Sequence, residues 1–456
     1  MVSQNFTLLA KAAFDRGTEL YRRREYAKAA VQFGEAIRLD ATYPKAHLFR
    51  ARCYGELSNY QLADADYTVA IGLAPDDPAG YNDRGIVRTA LGQHDAAVSD
   101  LDTSLRLAPD SAVAYFNRGS AYLNGGNPTA ALADYEEAIR RDARVARYFF
   151  FRGVAKHKLK RLDDAEADYT SALRLDSEHG DAYLRRGQLR ATSERYTDAV
   201  QDFTQFIRLW PKRPEGYIGR GSALAALQEY TKAVQDLNAA LRIEPRDAAA
   251  RVVRGSVLMQ LQKYEPALLD FEEALRTQAD EPRTHFGRAV ALMSLGRHAE
   301  AVPAADMAVR LDAADANPVF LRGRVRNYAG DHAGAIADYR KAVEMVPDDW
   351  TYRNYLAWAL ATLPNDALRD GPAALALATR ANELSKGKEP AVLDTLAACH
   401  AECGAFAEAI RIVEQALTIA EPDLKAELRD HLALYRAGKP CREVPKPVIG
   451  PRRERQ

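Results

Sequence analysis

Apolar and small residues recur along this chain with the spacing of two successive amphipathic helices. In the segment 112–145, Tyr115 and Tyr122 share one helical face. Further along the same segment, Ala131 and Tyr135 share another face, four residues apart. These intervals are typical of helices that bury one side. A Gly-Gly-Asn-Pro stretch separates the two faces, and glycine and proline interrupt helices. The pattern therefore predicts a helix, a turn and a second helix.

This unit recurs with a period of 34 residues, marked by an arginine that returns ten times without a slip. The row arginines are Arg16, Arg50, Arg84, Arg118, Arg152, Arg186, Arg220, Arg254, Arg288 and Arg322. Glycine follows the arginine in eight of the ten units, and alanine replaces it at Ala51 and Ala289. An alanine also stands thirteen residues after every one of these arginines. A fixed period of this size indicates one array of stacked repeats instead of two or three separate domains.

The period predicts how the chain is divided. The predicted segments are a lead-in at 1–9, ten repeats in register at 10–349, an eleventh repeat with an extended inter-helix loop at 350–389, a twelfth repeat at 390–422, a capping helix at 423–438 and a disordered basic tail at 439–456. The capping helix is indicated by one apolar face, which includes Leu428, Leu432 and Tyr435, and by the stop signal Gly438. A solenoid needs such a helix to cover its open end.

The repeated positions resemble the tetratricopeptide repeat. In the fourth repeat the resemblance is carried by Tyr115, Gly119, Ala131, Tyr135 and Ala138, and nearly the whole chain shares it. It implies an all-α fold, a right-handed superhelical solenoid of antiparallel helix pairs closed by a C-terminal capping helix. It also implies a non-enzymatic scaffold that binds a partner protein or an extended peptide in a concave groove lined by the first helix of each pair.

Sixteen residues after most of the row arginines stands an aspartate, which indicates a ladder of structural ion pairs. The predicted pairs are Arg50 with Asp66, Arg84 with Asp100, Arg118 with Asp134, Arg152 with Asp168, Arg186 with Asp202, Arg220 with Asp236, Arg254 with Asp270, and Arg322 with Asp338. The first repeat has Gln32 at this position and the ninth has Ala304. A guanidinium can hold a carboxylate with two parallel hydrogen bonds. The alternative, a basic stripe for phosphates, is disfavoured by the recurring aspartate.

Composition narrows the function further. Lysine plus arginine equals aspartate plus glutamate at 63 each, so no net field attracts nucleic acid or anionic membrane. No apolar run reaches the length of a membrane span, and the N-terminus lacks the pattern of a signal peptide. The four cysteines, including Cys399 and Cys403 one turn apart, form neither a disulfide framework nor a complete metal site. We therefore expect a cytoplasmic protein without a cofactor, a metal or a catalytic site.

The fourth to sixth repeats stand out as a candidate binding region. They combine three consecutive phenylalanines with a local excess of basic residues, which would favour an acidic partner with apolar anchors. The predicted partner-binding residues are Phe116, Asn117, Arg147, Phe150, Phe151, His157, Lys158 and Arg185. Phe116 and Phe150 belong to a position two residues before the row arginine, and an exposed apolar groove there would indicate binding. The alternative is that this position packs between neighbouring repeats and that the charges are solvated surface.

The family's clamp for the acidic C-terminus of heat-shock chaperones needs a lysine two residues before the arginine row. No repeat has one there, which disfavours that partner. The predicted function is thus a scaffold for a partner protein or an extended peptide. An alternative function is that of a regulatory or assembly subunit that wraps a globular enzyme. Nucleic-acid binding is a less favoured alternative.

The ninth repeat departs from the pattern at several positions. Ala304 replaces the aspartate, Ala305 replaces the aromatic residue of the second helix, and Pro303 falls within that helix. Proline removes a backbone donor and crowds the preceding turn. Since neighbouring interfaces stabilise a solenoid, we expect this repeat to act as a soft joint with a local bend around 297–309.

Overall fold

The fold is described from a computed structural model, which covers residues 2–442, with side chains from residue 8 onwards. The chain divides into two compact units, Met1–Pro211 and Lys212–Gln456. Throughout the described residues, the regular secondary structure consists of helices arranged as tandem pairs. The all-α prediction is therefore confirmed.

The first unit contains six helix pairs, and in each pair an odd-numbered helix packs along the even-numbered helix that follows it. The helices are α1 Val2–Arg22, α2 Tyr26–Leu39, α3 Pro44–Glu56, α4 Tyr60–Leu73, α5 Pro78–Ala90, α6 His94–Leu107, α7 Ala112–Asn124, α8 Pro128–Arg141, α9 Ala146–Lys158, α10 Leu162–Leu175, α11 Gly180–Thr192 and α12 Tyr196–Leu209. The lead-in expected at 1–9 is part of α1, because the helix already begins at Val2.

The second unit continues the same arrangement and ends with an additional helix. Its helices are α13 Pro214–Ala226, α14 Tyr230–Ile243, α15 Ala248–Gln260, α16 Tyr264–Leu275, α17 Pro282–Ser294, α18 His298–Leu311, α19 Ala316–Tyr328, α20 His332–Met345, α21 Trp350–Thr362, α22 Gly371–Leu384, α23 Pro390–Glu402, α24 Phe406–Ile419 and α25 Pro422–Arg436. A single 3₁₀ turn, Asp366–Leu368, lies in the longer connection between α21 and α22.

Helix pairs approach closely where glycine follows the row arginine. At Gly153, an added Cβ would lie 2.8 Å from Cε1 of Tyr169, the buried aromatic residue of the second helix. The ninth repeat has alanine at both of these positions: Ala289 replaces the glycine, Ala305 replaces the aromatic residue, and both are buried. The loss of the ring in this repeat is thus accompanied by one additional methyl group on the facing helix.

The row arginines join the two helices of each pair. In all eight predicted pairs, Nε donates to one aspartate oxygen at 2.6–3.0 Å and Nη2 donates to the other at 2.6–2.8 Å. The eight aspartates are buried. The recurring charges thus lie inside the repeats, and the two parallel hydrogen bonds fix the orientation of each guanidinium.

The same arginines also reach back to the second helix of the preceding repeat. Nη1 of Arg118 donates to Asp102 at 2.6 Å, and Nη1 of Arg84 donates to Thr68 at 3.0 Å. Equivalent contacts lie sixteen residues before the row arginine at Thr170, Asn238 and Asp306. One guanidinium therefore holds three helices and links adjacent repeats.

The C-terminal end is closed by two irregular segments that share one carboxylate. Arg369, in the connection after α21, donates to Glu402 at 2.9 Å, and Arg442 lies 2.6 Å from the same side chain. Cys441 is buried, with 1% of its surface exposed. The expectation of disorder from residue 439 is therefore wrong for 439–442, because burial and an ion pair hold this stretch. The rest of the expected disordered tail lies outside the described residues.

Removal of a row arginine should destabilise the protein more when the aspartate it leaves behind has no second cation as a partner. Asp168 retains Lys156 at 2.8 Å when Arg152 is removed, whereas Arg118 is the one cation bonded to Asp134 in the described residues. We expect Arg118→Ala to lower the free energy of unfolding by about 1–3 kcal/mol and Arg152→Ala to lower it by less. Urea denaturation of the two variants checks this order. Equal stabilities for both variants and the parent would contradict the structural role.

The second helix of the ninth repeat should exchange its amide hydrogens faster than its counterparts. Helix α18 continues through Pro303, which has no N–H to donate to the preceding turn. Arg288 has Ala304 where an aspartate is expected and contacts Glu272 at 3.4 Å. Hydrogen exchange followed by mass spectrometry should show α18 less protected than α14. Equal protection of the two helices would remove the prediction of a soft joint.

Candidate functional site

Three of the predicted partner-binding residues belong to the packing between repeats. Phe116 is 4% exposed and stacks on Tyr148 of the next repeat, with ring centroids 5.1 Å apart. Phe150 is 8% exposed and packs 4.6 Å from the ring of His179. Asn117 is also buried and donates to Asn82 at 2.9 Å. The expectation that they contact a partner directly is wrong, because the following repeat covers the two phenylalanines and Asn117 is buried against the preceding one.

The remaining predicted residues form a surface on α9 and α11, which we call the basic surface: Arg147, Phe151, His157, Lys158 and Arg185. The two arginines and the lysine are exposed, whereas Phe151 and His157 are half-buried. In the described part of the chain, none of the three cations forms an ion pair with a carboxylate. Their charge is therefore available to a partner.

Two neighbouring cations from the same sequence region are internal. Lys156 is buried and lies 2.8 Å from Asp168. Arg190 pairs with Glu166 at 2.8 Å and with Asp202 at 3.0 Å. The basic excess seen in the sequence is thus larger than the charge that reaches the surface.

His157 does not add positive charge at neutral pH. Burial, and then the positive charge of Arg185, lower the pKa of the His157 imidazole below its usual value. The neutral ring can donate one hydrogen bond and accept another. The surface therefore presents three fixed cations, one half-buried aromatic ring and one neutral imidazole.

Comparison with protein families decides what kind of repeat carries this surface. The family model of the tetratricopeptide repeat matches residues 14–78, 82–146, 116–179, 158–214, 184–248, 252–316 and 320–387. The chain belongs to the tetratricopeptide repeat family. The fold expected from the resemblance is thus confirmed, and repeats of this family generally mediate interactions between proteins.

Solved structures of other tetratricopeptide repeat proteins are similar to this chain. YrrB, described as having an unusual peptide-binding site, is 22% identical over 40% of this chain and 95% of its own, with a TM-score of 0.36. The Cut9–Hcn1 hetero-tetramer of the APC/C is 15% identical over 94% and 96%, with a TM-score of 0.49. Yeast Tom70 is 15% identical over the same shares, with a TM-score of 0.38. No curated protein matches the chain.

Near the last repeats, a cysteine, a histidine and an aspartate meet in an arrangement that the sequence analysis missed. Nδ1 of His431 lies 2.8 Å from Asp394, and the ring also interacts with the side chain of Cys441. A thiol, an imidazole and a carboxylate in this order occur in cysteine hydrolases. Here His431 is 0% exposed and Cys441 is 1% exposed, so a substrate cannot reach the thiol. We assign the cluster a structural role in holding residues 439–442.

The sequence contained one signal for this cluster. His431 lies on the apolar face of α25, between Leu428 and Tyr435, where a histidine must find a partner. Its partners are 37 residues before it and ten after it, so local periodicity could not identify them. Across residues 8–442, no group of three histidine, cysteine or acidic side chains is arranged to hold a metal ion. Between residues 2 and 442, no helix has the length and apolar character needed to cross a bilayer.

The His431 cluster should make the stability of the C-terminal repeats fall at alkaline pH. Burial alone would lower the pKa of His431, but its interactions with Asp394 and Cys441 outweigh that effect and raise the pKa to about 11. An unfolded histidine titrates near pH 6.5, so the proton stabilises the folded state fully below that pH. This contribution is then lost as the pH rises towards 11.

Thermal unfolding at a series of pH values, for the parent and for His431→Gln, measures this contribution. We expect the variant to be less stable by about 1–3 kcal/mol at pH 7 and the difference to shrink at higher pH. Tyrosines and other thiols titrate in both proteins, so the difference isolates His431. A difference that is constant from pH 6 to pH 10 would contradict the raised pKa.

Proposed function

We propose that this protein is a non-enzymatic scaffold that binds an acidic segment of a partner protein on the basic surface of its first unit. The observation that carries the proposal is that α9 and α11 expose three unpaired cations, with the half-buried ring of Phe151 on the same pair of helices. Membership in the tetratricopeptide repeat family supports a protein as the partner.

The aromatic residues behind the surface keep Phe151 in place. Its ring packs edge-to-face on Phe116 at 5.3 Å and on Phe150 at 5.2 Å. The guanidinium of Arg147 lies over the Phe116 ring, 4.2 Å from its centroid. Since these rings are held by neighbouring repeats, Phe151 loses little freedom when a partner contacts it, and a rigid aromatic anchor favours binding.

The charges determine the chemistry of the segment. Arg147 and Lys158 lie on α9 and Arg185 lies on α11, so carboxylates at more than one position of an extended segment can be bound. An apolar side chain of the same segment would contact Phe151. Exposed charge pairs contribute little individually and mainly steer association, so several of them together with an apolar anchor are required.

A charge-reversal experiment tests this proposal. The probe is a fluorescent nine-residue peptide with four acidic residues around one leucine, and the readout is fluorescence anisotropy with the full chain. We expect Lys158→Glu combined with Arg185→Glu to weaken binding at least tenfold, which corresponds to about 1.4 kcal/mol. The matched control is Lys11→Glu combined with Lys45→Glu, which changes the net charge equally in the same unit and should bind as the parent does.

Two outcomes would contradict the proposal. Equal weakening by both double variants would show that net charge, and not the basic surface, attracts the peptide. Tighter binding of a single-stranded RNA of equal length than of the peptide would favour a nucleic acid as the partner, with steep salt dependence.

A further inference from the structure

A cleft of about 540 Å³ lies in the second unit among α15, α17 and α19, which are the first helices of three successive pairs. Met259, Phe286 and Val290 line it and are half-buried, and the buried ring of Phe271 forms its floor. The volume is sufficient for one large side chain and its neighbours. The cleft is distinct from the basic surface, which belongs to the first unit.

Phe286 lacks the aromatic partner that two equivalent phenylalanines have in the following repeat. Two residues before the row arginine, Phe116 stacks on Tyr148 at 5.1 Å and Phe320 packs on Tyr352 at 4.7 Å. In the repeat after Phe286, the residue that corresponds to these tyrosines is Pro318. Among the described residues, no aromatic ring packs on Phe286. One ring-sized position of a recurring aromatic pair is therefore open.

A glycine deepens the cleft at the next residue. An added Cβ at Gly287 would lie 2.7 Å from the ring of Phe271, so this position cannot carry a side chain without displacing the ring. The equivalent positions of the fifth and tenth repeats carry Phe151 and Leu321. The ninth repeat thus lacks a side chain where the fifth and tenth repeats place a large apolar one.

The rim of the cleft carries an excess of negative charge. Glu281, Asp312 and Asp315 line it together with one cation, Arg283. Asp315 accepts hydrogen bonds from Asn317, but Glu281 and Asp312 form no ion pair within residues 8–442. Two carboxylates beside an apolar cleft are complementary to a cation adjacent to an apolar side chain.

We propose that this cleft binds an extended segment of a partner protein in which an aromatic side chain is adjacent to lysine or arginine. The aromatic ring packs on Phe286 where Tyr148 and Tyr352 pack on the equivalent phenylalanines. The neighbouring cation faces Glu281 and Asp312. This segment has the opposite charge to the one proposed for the basic surface, so the two units recognise different chemistry and the scaffold can hold two different partners.

Methionine-methyl NMR of the full chain tests the cleft, with the Met259 signal assigned from a Met259→Leu variant. The probe is the peptide Gly-Ser-Phe-Arg-Lys-Ser-Gly. One matched peptide has alanine for phenylalanine, and another has two glutamates for the basic pair. We expect the probe to shift the Met259 signal with a dissociation constant at least tenfold below that of either matched peptide. Equal affinities for all three peptides would overturn the proposal.

Substitutions at the open position separate this site from the basic surface. Pro318→Tyr supplies the missing ring from within the chain and should abolish the probe's effect, whereas Pro318→Ala should leave it unchanged. Phe286→Ala provides a second variant that should weaken binding at least tenfold. Lys158→Glu combined with Arg185→Glu should have no effect, so failure of one site is distinguishable from failure of the other. Unchanged binding to both Pro318→Tyr and Phe286→Ala would overturn the proposal.

Discussion

The fold depends on a guanidinium that holds three helices at once. Two of its nitrogens hold the buried aspartate of the same repeat, and the third reaches the preceding repeat. Burial raises the pKa of Asp134, even though hydrogen bonds and charge from Arg118 lower it. The pair therefore offsets the cost of burying a carboxylate instead of adding much net stability, as is common for buried ion pairs. Its main effect is on register, because a shift of one residue between helices would leave a buried carboxylate and a half-buried guanidinium unpaired.

Local sequence predicted the parts of the structure that lie within one repeat. Arg152 and Asp168 are sixteen residues apart in a unit of 34, so the period alone brought them together. The helix pairs followed from the same regularity. Positions whose surroundings come from another repeat could not be predicted in this way. Phe150 is covered by His179 of the following repeat, and the backward contact of Arg118 with Asp102 also crosses a repeat boundary.

The C-terminal end is a stronger example of contacts that local sequence could not predict. Composition suggested that residues after Gly438 are disordered, since they combine proline with basic residues. Arg442 is held by Glu402, forty residues before it, and Cys441 interacts with His431, which itself pairs with the distant Asp394. Likewise, the basic excess read from the sequence overestimated the exposed positive charge, because Lys156 forms an internal ion pair with Asp168. In each case the missing information was a tertiary contact, not a local preference.

The exchanged pair Ala289 and Ala305 also bears on how such repeats diverge. A change from glycine and an aromatic residue to two alanines requires two substitutions, and their order matters. Loss of the ring first would leave a cavity of aromatic size, at a cost of about 3–5 kcal/mol. Gain of the methyl group first gives alanine opposite an aromatic ring, and the second repeat has this combination, with Ala51 and Tyr67 both buried. The second repeat thus shows that the step with the smaller packing cost is compatible with the fold.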